Sequence, residues 1–152
     1  MTEHTQNIQT QLWNIDNSIA MGYLTSASGG SSIAMGRSTS ASELYATAMG
    51  HETTASGNSS TATGYQTTAS GSASTVMGKC TIASDYGSLV IGTYNLSGST
   101  VTVDASLPNI GNTAFVIGNG TKSFNYLVFN HFNGFKHSLF HKFKGINSAI
   151  KF

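Results

Sequence analysis

Charge is what this sequence has least of. Only 9% of its 152 residues are Asp, Glu, Lys or Arg, against about a quarter in an ordinary globular domain. Serine, threonine and glycine stand in their place, so the surface is mostly uncharged hydroxyl. One cysteine, Cys80, excludes an intrachain disulfide. One proline, Pro108, leaves residues 1–107 with nothing to interrupt a hydrogen-bond ladder. Apolar runs are short, and none approaches the ~20 residues of a membrane-spanning helix. The segment Met1–Gln6 lacks the basic start and apolar run of a signal peptide. No export signal or anchor is therefore expected in this chain.

What is present in excess is repetition. Ser18-Ile19-Ala20-Met21-Gly22 returns every fourteen residues, as Ser32–Gly36, Ala46–Gly50, Ser60–Gly64, Ser74–Gly78 and Ser88–Gly92. A second phrase lies midway: Ala27-Ser28, Ala41-Ser42, Ala55-Ser56, Ala69-Ser70 and Ala83-Ser84. A strict short period means one structural unit stacked on copies of itself. Fourteen residues are too few for a helix pair or a propeller blade, but they hold two short strands and two turns. Helix is disfavoured by recurrent glycine and dense Ser and Thr. The expected fold is all-β: a parallel β-roll with 14-residue coils about 4.8 Å apart. The glycines ending the first phrase, and the residue after each Ala-Ser, are expected to supply positive-φ turns.

Strand alternation sorts the side chains of such a roll. Ala20, Ala34, Ala48, Ala62, Val76 and Val90 share one face of the first strand. Ala27, Ala41, Ala55, Ala69 and Ala83 oppose them from the second. A narrow coil has room only for small side chains at normal packing density, so these residues are expected inside. The opposite face then carries Ile19, Met21, Ile33, Met35, Met49, Met77, Leu89 and Ile91, with threonine at its middle. An apolar stripe outside a roll is an interaction surface. These eight residues are expected to form the interface of an oligomer. The opposite arrangement, stripe inside and alanines out, is the alternative. Tyr23, Arg37, His51, Tyr65 and Lys79 each follow a repeat glycine, stack one per coil, and are the candidate ligand-facing ladder. Cys80 holds the next position, occupied elsewhere by Leu24, Ser38, Glu52 and Gln66, and is expected to be incidental.

The phrases Asn17-Ser18-Ile19-Ala20-Met21-Gly22 and Ser31-Ser32-Ile33-Ala34-Met35-Gly36 resemble the Asn-Ser-Val-Ala-Ile-Gly phrase of YadA-type heads in trimeric autotransporter adhesins. Thr67-Thr68-Ala69-Ser70-Gly71 also matches, and the resemblance covers about residues 17–95. It implies a left-handed roll and a homotrimer built on the Ile/Met stripe. It also implies display at a bacterial cell surface or on a phage-like fibre, with binding to extracellular matrix protein or another host or abiotic surface. In the archetype the repeated phrase is tied to collagen binding, which would nominate residues 17–22 and 31–36.

Four segments are expected. Residues 1–16 form a leader or cap containing Trp13, and residues 17–95 hold the head repeats. Residues 96–121 make an excursion and a capping coil, in which Ala114–Gly118 repeats the ending of the sixth coil. Residues 122–152 carry five lysines, seven of the eight phenylalanines and no acid. They are expected to be poorly structured, as an out-of-frame end would be, or a short basic helix through Phe132, Phe135, Leu139, Phe140 and Phe143. Such a helix could dock on the trimer end or, equally, lie on an anionic membrane; neither is the main expectation, and membrane contact by the tail is not expected. His137 and His141 could share a metal but lack a third ligand. Five lysines without a recognisable module do not make a nucleic-acid site. Residues 122–152 carry no heptad pattern, barrel or chaperone signature, so no stalk, anchor or chaperone is expected within them.

An enzyme needs convergent polar groups in a concave site. Here Glu43, Glu52, Asp85 and His51 are scattered over different coils, and adjacent His51 and Glu52 are expected to point apart. No catalytic, cofactor or metal site is therefore expected, and a surface-binding module is. The alternatives are a passive fibre spacer or an ice-binding solenoid using ranks such as Thr53-Thr54 and Thr67-Thr68.

Overall fold

A computed structural model describes residues 17–95, 105–108, 112–121, 124–130, 138–143 and 146–151, with side-chain surroundings as far as Gly118. The leader, residues 1–16, lies outside the described residues. Each coil contributes one long and one short strand. They are β1 (Ile19–Tyr23) and β2 (Ser26–Ala27), β3 (Ile33–Arg37) and β4 (Ser40–Ala41), and β5 (Thr47–His51) and β6 (Thr54–Ala55). Next come β7 (Thr61–Tyr65) and β8 (Thr68–Ala69), β9 (Thr75–Lys79) and β10 (Ile82–Ala83), and the lone long strand β11 (Leu89–Thr93). Long strands pair in parallel with their neighbours at a constant offset of fourteen residues, as Ala34 with Ala48 and Gly50 with Gly64. The short strands form their own parallel sheet in the order β10-β8-β6-β4-β2.

The interior holds what the alternation requires. Ala34, Ala48, Ala62, Val76 and Val90 are fully buried, and so are Ala41, Ala55, Ala69 and Ala83. The inverted arrangement is excluded, because the Ile/Met face lies outside. The interior is also more polar than a row of alanines. Ser32, Ser60, Ser74 and Ser88 are buried within it, and Ser88 Oγ donates to the Asp85 carbonyl at 2.8 Å. A further column, Thr25, Thr39, Thr53, Thr67 and Thr81, is buried as well. Paired ranks of exposed threonine therefore do not form: Thr53 and Thr67 point inward, while Thr54 and Thr68 are half-buried on the outer side. Neighbouring residues of a strand take opposite faces.

The Oγ1 atoms of that threonine column have no hydrogen-bond partner. A buried hydroxyl without one is costly, by roughly 1–3 kcal/mol on mutational scales. Thr67→Val keeps the shape and removes the hydroxyl, so it is expected to raise unfolding stability by about 1 kcal/mol. Urea denaturation would show this as a higher midpoint with an unchanged slope.

The corners differ from expectation. The glycines after Ala-Ser are not left-handed; the turn is made two residues later, by Ser31 (φ 54°), Tyr45 (59°), Ser59 (54°) and Ala73 (56°). Leu24, Ser38, Glu52, Gln66 and Cys80 make the other corner, all at φ 53°. Such backbone costs an L-residue roughly 1–2 kcal/mol. It is held by bonds repeated from coil to coil, as Glu52 N donating to the Arg37 carbonyl (2.9 Å) and Gln66 N to that of His51 (2.9 Å). Gly57 is glycine for another reason: a Cβ there would stand 2.2 Å from the Gly71 carbonyl oxygen.

A seventh long strand, β12 (Thr113–Thr121), joins β11 in parallel, with Leu89 opposite Phe115 and Val90 opposite Val116. This coil therefore holds twenty-six residues rather than fourteen. Polar side chains fasten the excursion. Asp85, buried where other coils have Gly57 or Gly71, accepts a bond from Thr113 N at 2.7 Å. Asn95 imitates a strand: its Oδ1 accepts from Ile82 N (2.6 Å) and its Nδ2 donates to the Ile82 carbonyl (2.7 Å). The side-chain amide thus closes the β10 edge of the short-strand sheet. Asn95→Ala leaves both backbone groups unpaired and is expected to destabilise by about 2 kcal/mol. Hydrogen exchange at the Ile82 amide would accelerate well before global unfolding.

The seventh coil is not the end of the sheet. Strand β13 (Phe124–Asn130) pairs antiparallel with β12, β14 (Ser138–Phe143) with β13, and β15 (Ile146–Lys151) with β14. The short helix expected through Leu139, Phe140 and Phe143 is replaced by strand; Phe132 and Phe135 lie outside the described residues. Phe, Tyr, Val and Ile suit a pleated surface, Gly134 and Gly145 shorten any helix, and the free edge of β12 offers a ladder to join.

Candidate functional site

Two surfaces of the roll carry the candidate chemistry, and both arise from the fourteen-residue register. On the outer side of the long-strand sheet, Ile19 pairs with Ile33, and Met21, Met35 and Met49 run in one column. Met77, Ile91 and Ile117 continue that column beyond Thr63. The second column runs Ile19, Ile33, Thr47, Thr61, Thr75, Leu89 and Phe115. Met21 is 56% exposed, Met77 43%, Ile19 47%, Met49 38% and Met35 37%, while Ile33, Leu89 and Ile91 are half-buried. Methionines exposed to this degree and aligned in one column form an apolar strip that Thr61 and Thr63 interrupt at the fourth coil.

The second surface is the ladder at the end of the long strands. Register places Tyr23 beside Arg37, Arg37 beside His51, His51 beside Tyr65 and Tyr65 beside Lys79. The side chains meet as well. Arg37 Cζ lies 5.8 Å from the centre of the Tyr23 ring, and Lys79 Nζ 5.7 Å from that of Tyr65. His51 stacks on Tyr65 with centroids 5.0 Å apart and planes 8° from parallel. Cation–π contacts of this kind contribute roughly 0.5–1 kcal/mol each at exposed sites. The five residues share one row by register, and their side chains meet in two groups, Tyr23 with Arg37 and His51 with Tyr65 and Lys79.

Sequence reasoning missed a second row beside the first. Gln66 Nε2 donates to Glu52 Oε2 at 2.7 Å, and Cys80 Sγ donates to Gln66 Oε1 at 3.3 Å. Tyr94 follows, its phenol raised above the ordinary value chiefly by a hydrogen bond to the Cys80 side chain. Cys80 is therefore a rung of a polar chain. The signal was available: Glu52, Gln66 and Cys80 each follow a ladder residue by one, and successive members, Tyr94 included, are fourteen apart. His51 and Glu52 do not point fully apart either, since His51 Nε2 lies 3.8 Å from Glu52 Oε1.

Among the described residues, no three His, Cys, Asp or Glu side chains are grouped so as to hold a metal ion. The His137–His141 pair lies outside the described side chains. Also among the described residues, no helix is long and apolar enough to cross a membrane, which leaves strand-built spans open.

The YadA head domain repeat (two copies) matches at residues 16–39, 27–53, 41–67 and 55–79. Residues 16–79 thus match the YadA head domain repeat. Successive matches overlap and advance by about one coil, so each spans two stacked coils, the smallest unit that contains an interface between repeats. No curated protein matches the chain in sequence. The roll continues past the matched segment, through β11 and the enlarged coil ending in β12, with its long strands still paired in parallel. In this head the phrase residues split between two tasks. Ala34 and Ser32 of Ser32–Gly36 are buried inside, whereas Ile33 and Met35 belong to the outer strip.

Proposed function

We propose that this chain is the head of a trimeric surface adhesin, with Ile19, Met21, Ile33, Met35, Met49, Met77, Leu89 and Ile91 packed against two further copies. The observation that carries this reading is the exposed Ile/Met strip on a roll whose interior is already filled by Ala, Ser and Thr. Methionine there is 37–56% exposed at Met21, Met35, Met49 and Met77, and this is apolar area that partner chains would cover. Closed cyclic packing covers such a strip symmetrically. The YadA head repeat supports three as the number of copies and a cell surface as the location.

Tyr23, Arg37, His51, Tyr65 and Lys79 then face outward as the ligand-binding row, repeated around the axis. Weak contacts on each row add through avidity to extracellular matrix or other host surfaces. Inward-pointing Thr53 and Thr67 remove the paired threonine ranks on which ice binding would rest. Multi-angle light scattering on the purified chain is expected to give three chain masses, and immobilised matrix protein is expected to retain the trimer. A monodisperse monomer at micromolar concentration would overturn the assembly.

A further inference from the structure

The ladder fixes the class of ligand more narrowly than adhesion requires. We infer that Tyr23, Arg37, His51, Tyr65 and Lys79 form a track for a linear anionic polysaccharide, one bearing sulfate or carboxylate groups along an extended chain. This rests on the outward-facing role given to the row above. Three features of the row support it.

The first is charge. The row contains two permanent cations and an imidazole, and no acid. The carboxylates among the described residues lie elsewhere or are engaged. Asp85 is buried, Glu43 sits at the opposite corner, and Glu52 accepts the Gln66 amide at 2.7 Å. The other carboxylate oxygen of Glu52 lies 3.8 Å from His51 Nε2, so the positive charge of the ladder rests on Arg37 and Lys79.

The second is preorganisation. Arg37 lies against the Tyr23 ring, and Tyr65 is flanked by His51 and Lys79. A guanidinium lying against a ring keeps its in-plane N–H donors free for the two oxygens of a sulfate or carboxylate. Side chains already held in place lose less freedom on binding.

The third is shape. Tyr23 and Tyr65 are 53% and 42% exposed and protrude rather than line a hollow. The strands beneath are paired on both sides from β3 to β11, so no strand of a peptide can be added there. What remains is a straight row with rungs about 4.8 Å apart. It suits a chain read by its repeated charges and hydroxyls rather than by a pocket.

The test uses the full chain and three probes: a heparin decasaccharide, neutral dextran, and a single-stranded oligothymidylate of matched charge. Heparin is expected to bind, dextran not to, and the oligonucleotide to bind more weakly. R37Q/K79Q is expected to weaken heparin binding about tenfold and to lower the salt dependence by about one for each cation removed. Tyr65→Leu is expected to weaken binding without changing that salt dependence. Circular dichroism and light scattering on each variant confirm an intact roll and assembly. Equal heparin binding by wild type and R37Q/K79Q, equal binding of dextran, or equal binding of the oligonucleotide would each overturn the inference. Adhesion to glycan-free matrix protein by a trimer that ignores heparin would overturn it while leaving the adhesin assignment standing. A monomer that binds heparin would do the reverse to the trimer.

Discussion

Gly64→Ala is expected to unfold most of the head. Gly64 lies at φ +121°, where an L side chain is strained, and an added Cβ would stand 2.0 Å from the carbonyl oxygen of Gly78 in the next coil. The obstacle is backbone, so no side chain can swing aside. Relief requires separating β7 from β9, which breaks the parallel ladder between the fourth and fifth coils. A cost above about 4 kcal/mol is expected, in the range reserved for gross steric failure. Thermal unfolding by circular dichroism is the measurement, with Gly87→Ala as the control. Gly87 has φ +66° and nothing within 4 Å of an added Cβ. Its equivalent in the preceding coil is already alanine, Ala73 at φ 56°. That control should therefore cost no more than about 1 kcal/mol. Equal stability of Gly64→Ala and Gly87→Ala would show that the close approach of successive coils is not what holds the roll.

Met49→Glu should leave the single roll foldable and abolish its assembly. Met49 is 38% exposed on the outer strip, between Met35 and Thr63 in the same column. In a symmetric trimer the substitution places three carboxylates together at an apolar axis. An uncompensated buried charge costs about 3–5 kcal/mol, and like charges repel further. Light scattering is expected to fall from three chain masses to one, and the melting temperature to fall with it, because burial between chains contributes to stability by mass action. R37Q/K79Q, changed only on the ladder, should remain trimeric. If Met49→Glu kept both mass and melting temperature, the strip would not be the interface, whatever the number of chains.

The two substitutions separate what the chain says locally from what the stack decides. The fourteen-residue period, written in Ser32–Gly36 and its copies, determined the coil, the parallel register and the place of alanine inside. It did so because one strict repeat admits one offset between neighbouring strands. The same period placed Tyr23, Arg37, His51, Tyr65 and Lys79 on one edge, so the candidate row was legible before any coordinate. The direction of the threonines was not. Thr53 and Thr54 are alike in composition and opposite in orientation, and only the path of the corner decides which is buried. Left-handed backbone at Ser59, Ala73 and Leu24 was likewise hidden, since these are not residues that favour it and only the hydrogen bonds of adjacent coils hold them there. Asn95 and Asp85 stand outside the repeat phrases, and their tasks appear only when the enlarged seventh coil brings Ile82 and Thr113 to them. The strands Phe124–Asn130, Ser138–Phe143 and Ile146–Lys151 depend on a partner edge, which no local pattern of Phe and Lys encodes. Repetition along the chain thus determined the roll and its two faces, while contacts between residues far apart in sequence decided its corners, its closure and its continuation.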